Sequence, residues 1–215
     1  KVSGIKGGLT EPYWLGIKKL MTPDTIVIRG APYIRPEDPN PVRVHATGLL
    51  KNGKLQREKI KSHPCYTYGA LRGEIQEHIL DKLQLILDQK MIKGVYENGT
   101  EYTAIATVLN MNREMQRMLQ KFDFTKKNPK VIYINTSDTA ISLEDGILTT
   151  FLHLVGFDIV FYVPTGYQCA ERYLSTDSLE EHQIGEYVYD LPIPDFDTIC
   201  ENPRRSWREI FKRGD

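Results

Sequence analysis

The chain has 215 residues, and its 28 Lys and Arg residues balance 28 Asp and Glu residues, so the formal net charge is zero. Such a chain has no general electrostatic attraction for nucleic acid or for an anionic membrane, and we expect neither as a partner. Its three cysteines include no CxxC pair, which argues against a disulfide framework and a structural zinc site. No signal-peptide pattern and no membrane span are visible, which favours a cytoplasmic protein.

The first forty residues carry few periodic patterns. Residues 14–21 favour a short helix and residues 25–29 favour a strand. Five prolines between positions 23 and 41 interrupt the remainder. This composition predicts an irregular segment.

A β-hairpin is predicted next, because two strand-like runs within residues 42–60 flank Asn52-Gly53. That dipeptide favours the positive φ angles of a tight hairpin turn. We therefore divide the chain into an irregular segment with a β-hairpin, residues 1–60, that packs on a main domain, residues 61–215.

Two helices follow from apolar residues at spacings of three and four. The first contains Ile75, Ile79, Leu83, Ile86 and Leu87 and stops before Gly94. The second is predicted to start at Thr100 and to continue to Phe122 as one helix.

A strand, a helix and a second strand are predicted between residues 131 and 163. Residues 131–134 (VIYI) and 157–163 (FDIVFYV) are the short apolar runs of strands that are buried on both faces. Between them, Ser142 and Asp145 form a capping-box pattern, and Gly156 marks the end of the helix. This is a parallel βαβ unit, so we predict an α/β fold with a Rossmann-like, mostly parallel sheet flanked by helices.

Weaker patterns follow this unit. They predict a helix over residues 167–174, an edge strand over 186–191 and a short basic helix over 205–213.

Candidate ligand-binding residues lie where the two buried strands end, since ligands of parallel α/β sheets bind outside the carboxyl ends of the strands. The first loop offers short hydrogen-bonding side chains and the second offers a glycine and an aromatic ring; together the ligand-binding candidates are Asn135, Thr136, Ser137, Thr165, Gly166 and Tyr167. The alternative is that these residues only cap and turn the chain.

Asp138 and Glu171 are the candidate catalytic carboxylates. Asp138 could act as a base or hold a ribose hydroxyl or a metal ion, or it could only cap the turn before Ser142, and Glu171 could assist by proton transfer or metal binding. Arg29, at the end of the early strand, is a candidate for binding an anion at the same edge. No Walker A or GxGxxG fingerprint is present, so no cofactor is identified, and Mg²⁺ would enter only together with a nucleotide. The five histidines are scattered, and no metal site is predicted.

The stretch from residue 131 to residue 174 resembles the YceG-like bacterial family found beside tellurite and toxic-anion resistance genes. The resemblance lies in the Thr-Ser-Asp loop after the first strand, the LxxxGFDIV turn, and the PTGY loop followed by Glu171. Members are longer than this chain, which corresponds to a C-terminal portion. The resemblance implies a Rossmann-like stress-response protein that handles a nucleotide-like metabolite, and it supplies no catalytic residues.

Two functional hypotheses remain open. In the first, the domain binds a nucleotide or sugar-nucleotide and acts as a transferase-like enzyme. In the second, it is a non-catalytic interaction or scaffold domain that binds other proteins of the resistance system.

Overall fold

The structure, a computed structural model, describes residues 1–121, 128–175 and 179–199. The strands and α-helices in that part of the chain are β1 (Val2–Ser3), α1 (Thr10–Leu20), β2 (Thr25–Arg29), β3 (Leu50–Lys51), β4 (Lys54–Leu55), α2 (Arg57–Lys61), α3 (Gly73–Asp88), α4 (Thr100–Leu109), α5 (Arg113–Lys121), β5 (Lys130–Ile134), α6 (Leu143–Leu154), β6 (Asp158–Val163) and β7 (His182–Gln183). Five of the strands form one sheet in the order β2-β5-β6-β1-β7, and β3 pairs only with β4. Every paired neighbour in the larger sheet is parallel, which confirms the predicted α/β class.

The predicted βαβ unit is present as β5, α6 and β6. The two strands pair in parallel, with Ile134 opposite Tyr162. The helix between them starts where predicted, because the Ser142 hydroxyl accepts a hydrogen bond from the Asp145 amide at 3.0 Å and the Asp145 carboxylate accepts one from the Ser142 amide at 3.2 Å. Gly156, with φ 109°, follows the helix end in a conformation that favours glycine.

The sheet is covered on both faces, because successive residues of a strand point to opposite sides. Val131 and Tyr133 of β5 belong to a large core shared with helices α3 to α6. Ile132 and Ile134 face a smaller cluster that includes Trp14 of α1. Leu191 and Phe196, from the C-terminal part of the described chain, complete that smaller cluster.

The N-terminal segment supplies two strands to the main sheet. Strand β2 has the predicted bounds, and α1 begins four residues before the predicted helix. Strand β1 was not predicted, because two residues are too few for a periodic pattern, yet it lies between β6 and β7. The division of the chain at residue 60 stays a prediction.

The hairpin turn is confirmed, with φ of 50° at Asn52 and 74° at Gly53. Its strands are shorter than predicted, with two residues each. The preceding residues, Arg43–Leu49, form a 3₁₀ helix that buries Ala46 and Leu49. A few apolar residues in a short segment fit a helical face as well as a strand, which is why sequence alone misassigned this segment.

Three other predictions need correction. The helix predicted from Thr100 to Phe122 is two helices, α4 and α5, separated at residues 110–112. Residues 167–174 contain only a 3₁₀ turn, Ala170–Arg172, and the edge strand is His182–Gln183 in place of residues 186–191. The predicted basic helix over residues 205–213 lies outside the described residues. In the described part of the chain, no helix is long and apolar enough to cross a membrane.

Candidate functional site

The two predicted loops leave the sheet at the same edge, because β5 and β6 are neighbours and run in parallel. The Asn135 amide still donates to the Tyr162 carbonyl at 3.0 Å, so the first loop starts in register with the end of β6. Arg29 pairs with Ile134 at the end of β2 and therefore lies at this edge too. We call this end of the sheet the carboxyl edge.

The first loop is held together by its own side chains. Asn135 is buried, its Oδ1 accepts from the Ser137 amide at 3.3 Å and the Ser137 hydroxyl at 3.1 Å, and its Nδ2 donates to the Thr139 carbonyl at 2.7 Å. These are the bonds of a side-chain-stabilised turn. Asp138 is exposed and has no hydrogen-bond or ion-pair partner among the described residues. Thr136 is half-buried, and its hydroxyl likewise has no hydrogen-bond partner among the described residues. Asp138 is therefore the carboxylate of this loop that is exposed to a ligand.

The second loop places a tight glycine beside aromatic rings. Thr165 is buried, and its hydroxyl accepts a hydrogen bond from the Tyr167 amide at 3.2 Å. Gly166 has φ 69°, and a Cβ atom there would lie 2.4 Å from the ring of Tyr187. Tyr167 leaves 43% of its surface exposed, although a large ring is usually covered.

Glu171 forms an internal ion pair and does not stand free. Its Oε1 accepts from the Lys1 ammonium at 2.7 Å, and its Oε2 accepts from the Cys169 amide and thiol, both at 2.9 Å. Burial opposes ionisation of Glu171, but the hydrogen bonds from Cys169 and Lys1 outweigh it and hold the pKa of the carboxyl below its ordinary value. A carboxylate bonded in this way is better suited to fixing the chain after β6 than to exchanging protons.

Arg29 is exposed on the α1 face of the sheet. Its guanidinium carbon lies 5.2 Å from the centroid of the Phe196 ring, within the range of a cation-π contact. Arg29 thus reaches the carboxyl edge but is already in contact with an aromatic side chain from the end of the described chain.

The segments that follow neighbouring strands of the sheet do not all cover the same face of it. The chain leaves β5 and β6 toward the large core, through α6 and through the buried Cys169 and Ala170. It leaves β1 toward the opposite face, through α1. Crevices at the carboxyl edge form where neighbouring strands have such divergent connections, which here is between β6 and β1.

Residues 184–188 lie across the ends of β1 and β6, and we call them the crossing segment. The Ile184 amide donates to the Ser3 carbonyl at 2.8 Å, the Ile5 amide to the Glu186 carbonyl at 2.8 Å, and the Val188 amide to the Pro164 carbonyl at 3.0 Å. Sequence reasoning missed this segment because it interpreted residues 186–191 as an edge strand.

Tyr187 joins the candidate site as a residue that the sequence did not single out. Its ring packs against Gly166 while 47% of its surface stays exposed, and Tyr189 is 60% exposed. The sequence offered one indication of this site, because Tyr187 and Tyr189 are separated by one residue and lie outside the predicted core. The carboxyl edge therefore presents exposed rings from both the second loop and the crossing segment.

Among the described residues, no group of three or more His, Cys, Asp or Glu side chains is placed to hold a metal ion. The cavities in the same part of the chain include four that are lined by residues other than the candidates above.

Comparisons with known proteins agree on one family. The model of the YceG domain matches residues 1–206. The chain is similar to a protein of Bacillus subtilis (strain 168) that carries the name "Uncharacterized protein YceG", with 21% identity over 194 residues that cover 88% of this chain. The chain spans 36% of the length of that relative. No solved structure matches. With nearly the whole chain matched by the domain model, the protein belongs to the YceG domain family.

Proposed function

We propose that this domain binds a nucleotide or sugar-nucleotide at the carboxyl edge of its sheet, with Tyr167 and Tyr187 stacking on the base or sugar. The main support is the pair of exposed rings at Gly166, where Tyr167 follows the glycine in the chain and Tyr187 packs against it, at the position where the chain connections of β6 and β1 diverge. Rings left in water beside polar loops provide stacking surfaces that tolerate several bases.

Asp138 is the polar partner in this proposal. It is an exposed carboxylate within the first loop, and a carboxylate at this edge accepts hydrogen bonds from ribose hydroxyls. If the domain transfers a group, Asp138 is our candidate base, and Glu171, which is held by Lys1 and Cys169, positions the chain after β6. Mg²⁺ would then be held mainly by the phosphates of the ligand.

A scaffold function is the second candidate. The side-chain hydrogen bonds of Asn135, Ser137 and Thr165 all remain within their own loops, which is what the turn-and-cap interpretation predicts. A role in a toxic-anion stress response, with other proteins of such a system as partners, is supported only by the family resemblance. A cytoplasmic location likewise stays a prediction.

The test is a thermal-shift screen of nucleotides and sugar-nucleotides with and without Mg²⁺, followed by calorimetric titration of any compound that raises the Tm. Loss of one stacked base costs about 1–3 kcal/mol, so Tyr167→Ala and Tyr187→Ala should each weaken binding by about fivefold or more. Asp138→Asn should weaken binding of the same compound.

Tyr96→Ala provides the matched control, because Tyr96 is an exposed tyrosine next to the hairpin residue Gly53. Its affinity should equal that of the unchanged protein. Binding that survives unaltered in the Tyr167, Tyr187 and Asp138 variants would place the ligand elsewhere. If no compound of either class binds, the scaffold function is favoured.

A further inference from the structure

A groove with a cavity volume of about 760 Å³ runs beside α1, on the face of the sheet opposite to α6. Helix α1 forms one side, and residues of β1, β6 and the start of the crossing segment form the other. Its lining consists of Val2, Ile5, Lys6, Gly7, Leu9, Pro12, Tyr13, Gly16, Ile17, Leu20, Tyr162 and Ile184. We call it the α1 groove.

The lining of the α1 groove is apolar but open to water. Leu9 is 61% exposed and Ile184 is 43% exposed. Gly16 faces open space, since a Cβ atom there would contact nothing within 4 Å. A contiguous apolar patch of this kind on a soluble domain marks a binding site, and the volume lies within the range of about 300–1,000 Å³ that small-molecule pockets occupy.

One end of the α1 groove carries its single charged side chain, Lys6. Lys6 is exposed, and no acidic group in the described part of the chain lies within ion-pair distance of it. The opposite end is formed by Leu20, the last residue of α1. The helix between these ends is about 16 Å long at a rise of 1.5 Å per residue. The groove is therefore an elongated apolar channel with a cation at one end.

We infer that the α1 groove binds a single-chain fatty-acid-like amphiphile, with its carboxylate at Lys6 and its alkyl chain lying along α1 toward Leu20. The charge of Lys6 selects the anionic head, and the apolar walls remove the alkyl chain from water. A protein helix docked in the groove would pair with Lys6 only if it carried an acidic residue at that end. A fatty-acid-like amphiphile supplies the required negative charge with its carboxylate and the apolar contact with its alkyl chain.

Dodecanoate is the probe, used on the full chain at concentrations below micelle formation. Calorimetric titration should show saturable binding of one molecule per chain. Dodecyltrimethylammonium has the same alkyl chain with the opposite charge and should bind about tenfold more weakly or worse. Lys6→Gln should weaken dodecanoate by about fivefold and leave neutral dodecanol unchanged.

Gly16→Leu tests the position of the alkyl chain. The new side chain fills open space in the α1 groove, and leucine favours a helix more than glycine does, so the variant should fold at least as well as the parent. We expect it to abolish dodecanoate binding. Gly73→Leu is the matched control, because Gly73 is also an exposed helical glycine with open space around it, at the start of α3. This control should bind dodecanoate normally.

Several outcomes would overturn the inference. These are no binding of dodecanoate, equal binding of the anionic and cationic amphiphiles, or normal binding by Gly16→Leu. Binding only to vesicles of phosphatidylcholine and phosphatidylglycerol, without binding of monomeric dodecanoate, would identify the groove as a membrane-contact surface instead.

Discussion

Replacing Asp145 tests whether one buried carboxylate joins the loop after β2 to helix α6. Asp145 is fully buried and accepts three backbone hydrogen bonds, from Tyr33 at 3.0 Å, Ile34 at 2.8 Å and Ser142 at 3.2 Å. Two of the donors are more than a hundred residues away in sequence. Asp145→Ala would leave all three amides without their acceptor.

The expected loss follows from these three bonds. A hydrogen bond to a charged group contributes about 1.5–3 kcal/mol, and bonds that share one acceptor are not additive. We expect Asp145→Ala to reduce the free energy of unfolding by about 3–5 kcal/mol. At about 2–4 °C per kcal/mol for a chain of this size, the Tm should fall by about 6–20 °C.

Urea denaturation followed by circular dichroism, together with calorimetry, measures this loss. Ser142→Ala removes only the reciprocal cap and should cost about 1 kcal/mol. Asp138→Ala removes a nearby exposed carboxylate and should stay within about 0.5 kcal/mol. A loss below about 1 kcal/mol for Asp145→Ala would show that these hydrogen bonds do not hold the loop against α6.

Three further results are expected. Burial raises the pKa of Asp145 above its ordinary value of 3.8, so the protonated form is favoured in the folded chain. Its pH-linked contribution to stability is complete below pH 3.8 and decreases as the pH rises through the folded-state pKa. Urea titrations should show the advantage of the parent over Asp145→Asn shrinking as the pH rises above 3.8, and a constant advantage would contradict this. Burial raises the pKa of the Cys169 thiol to about 12, so little of the reactive thiolate forms at mild alkaline pH. Peptide mass spectrometry after iodoacetamide treatment of the native protein should find label on the half-buried Cys65 and none on Cys169. Rapid labelling of Cys169 would show that its site is open. Gly166→Ala should destabilise the chain, because φ there is 69° and the new Cβ would collide with the Tyr187 ring. In a double-mutant cycle, adding Tyr187→Ala should recover part of the lost stability, and strictly additive losses would rule out the collision.

The βαβ unit could be predicted because its information is local. The Ser142 and Asp145 cap, the glycine after the helix and the continuous apolar run of β5 all act within a few residues. The same local reasoning failed where short elements depend on distant partners. Strand β1 has only two residues, and its place between β6 and β7 is determined by pairing with residues about 160 and 180 positions away.

The candidate site was predictable in location but not in detail. Parallel strands bring the loops after Ile134 and Val163 to one edge, and this needed only the βαβ assignment. Which polar side chains remain free was not predictable, since the structure uses Asn135 within its own turn and leaves Asp138 exposed. Tyr187 entered the site only through its contact with Gly166.

The sequence by itself determined the α/β class, the parallel pair β5 and β6, and the edge of the sheet at which their polar loops end. These depend on periodicity and capping, which act over a few residues. The tertiary structure alone decided that β1 enters the sheet, that the connections diverge between β6 and β1, that Glu171 pairs with Lys1, and that an apolar groove stays open beside α1. Those features arise from contacts between residues far apart in the chain, and such contacts leave no periodic pattern in the sequence near either partner.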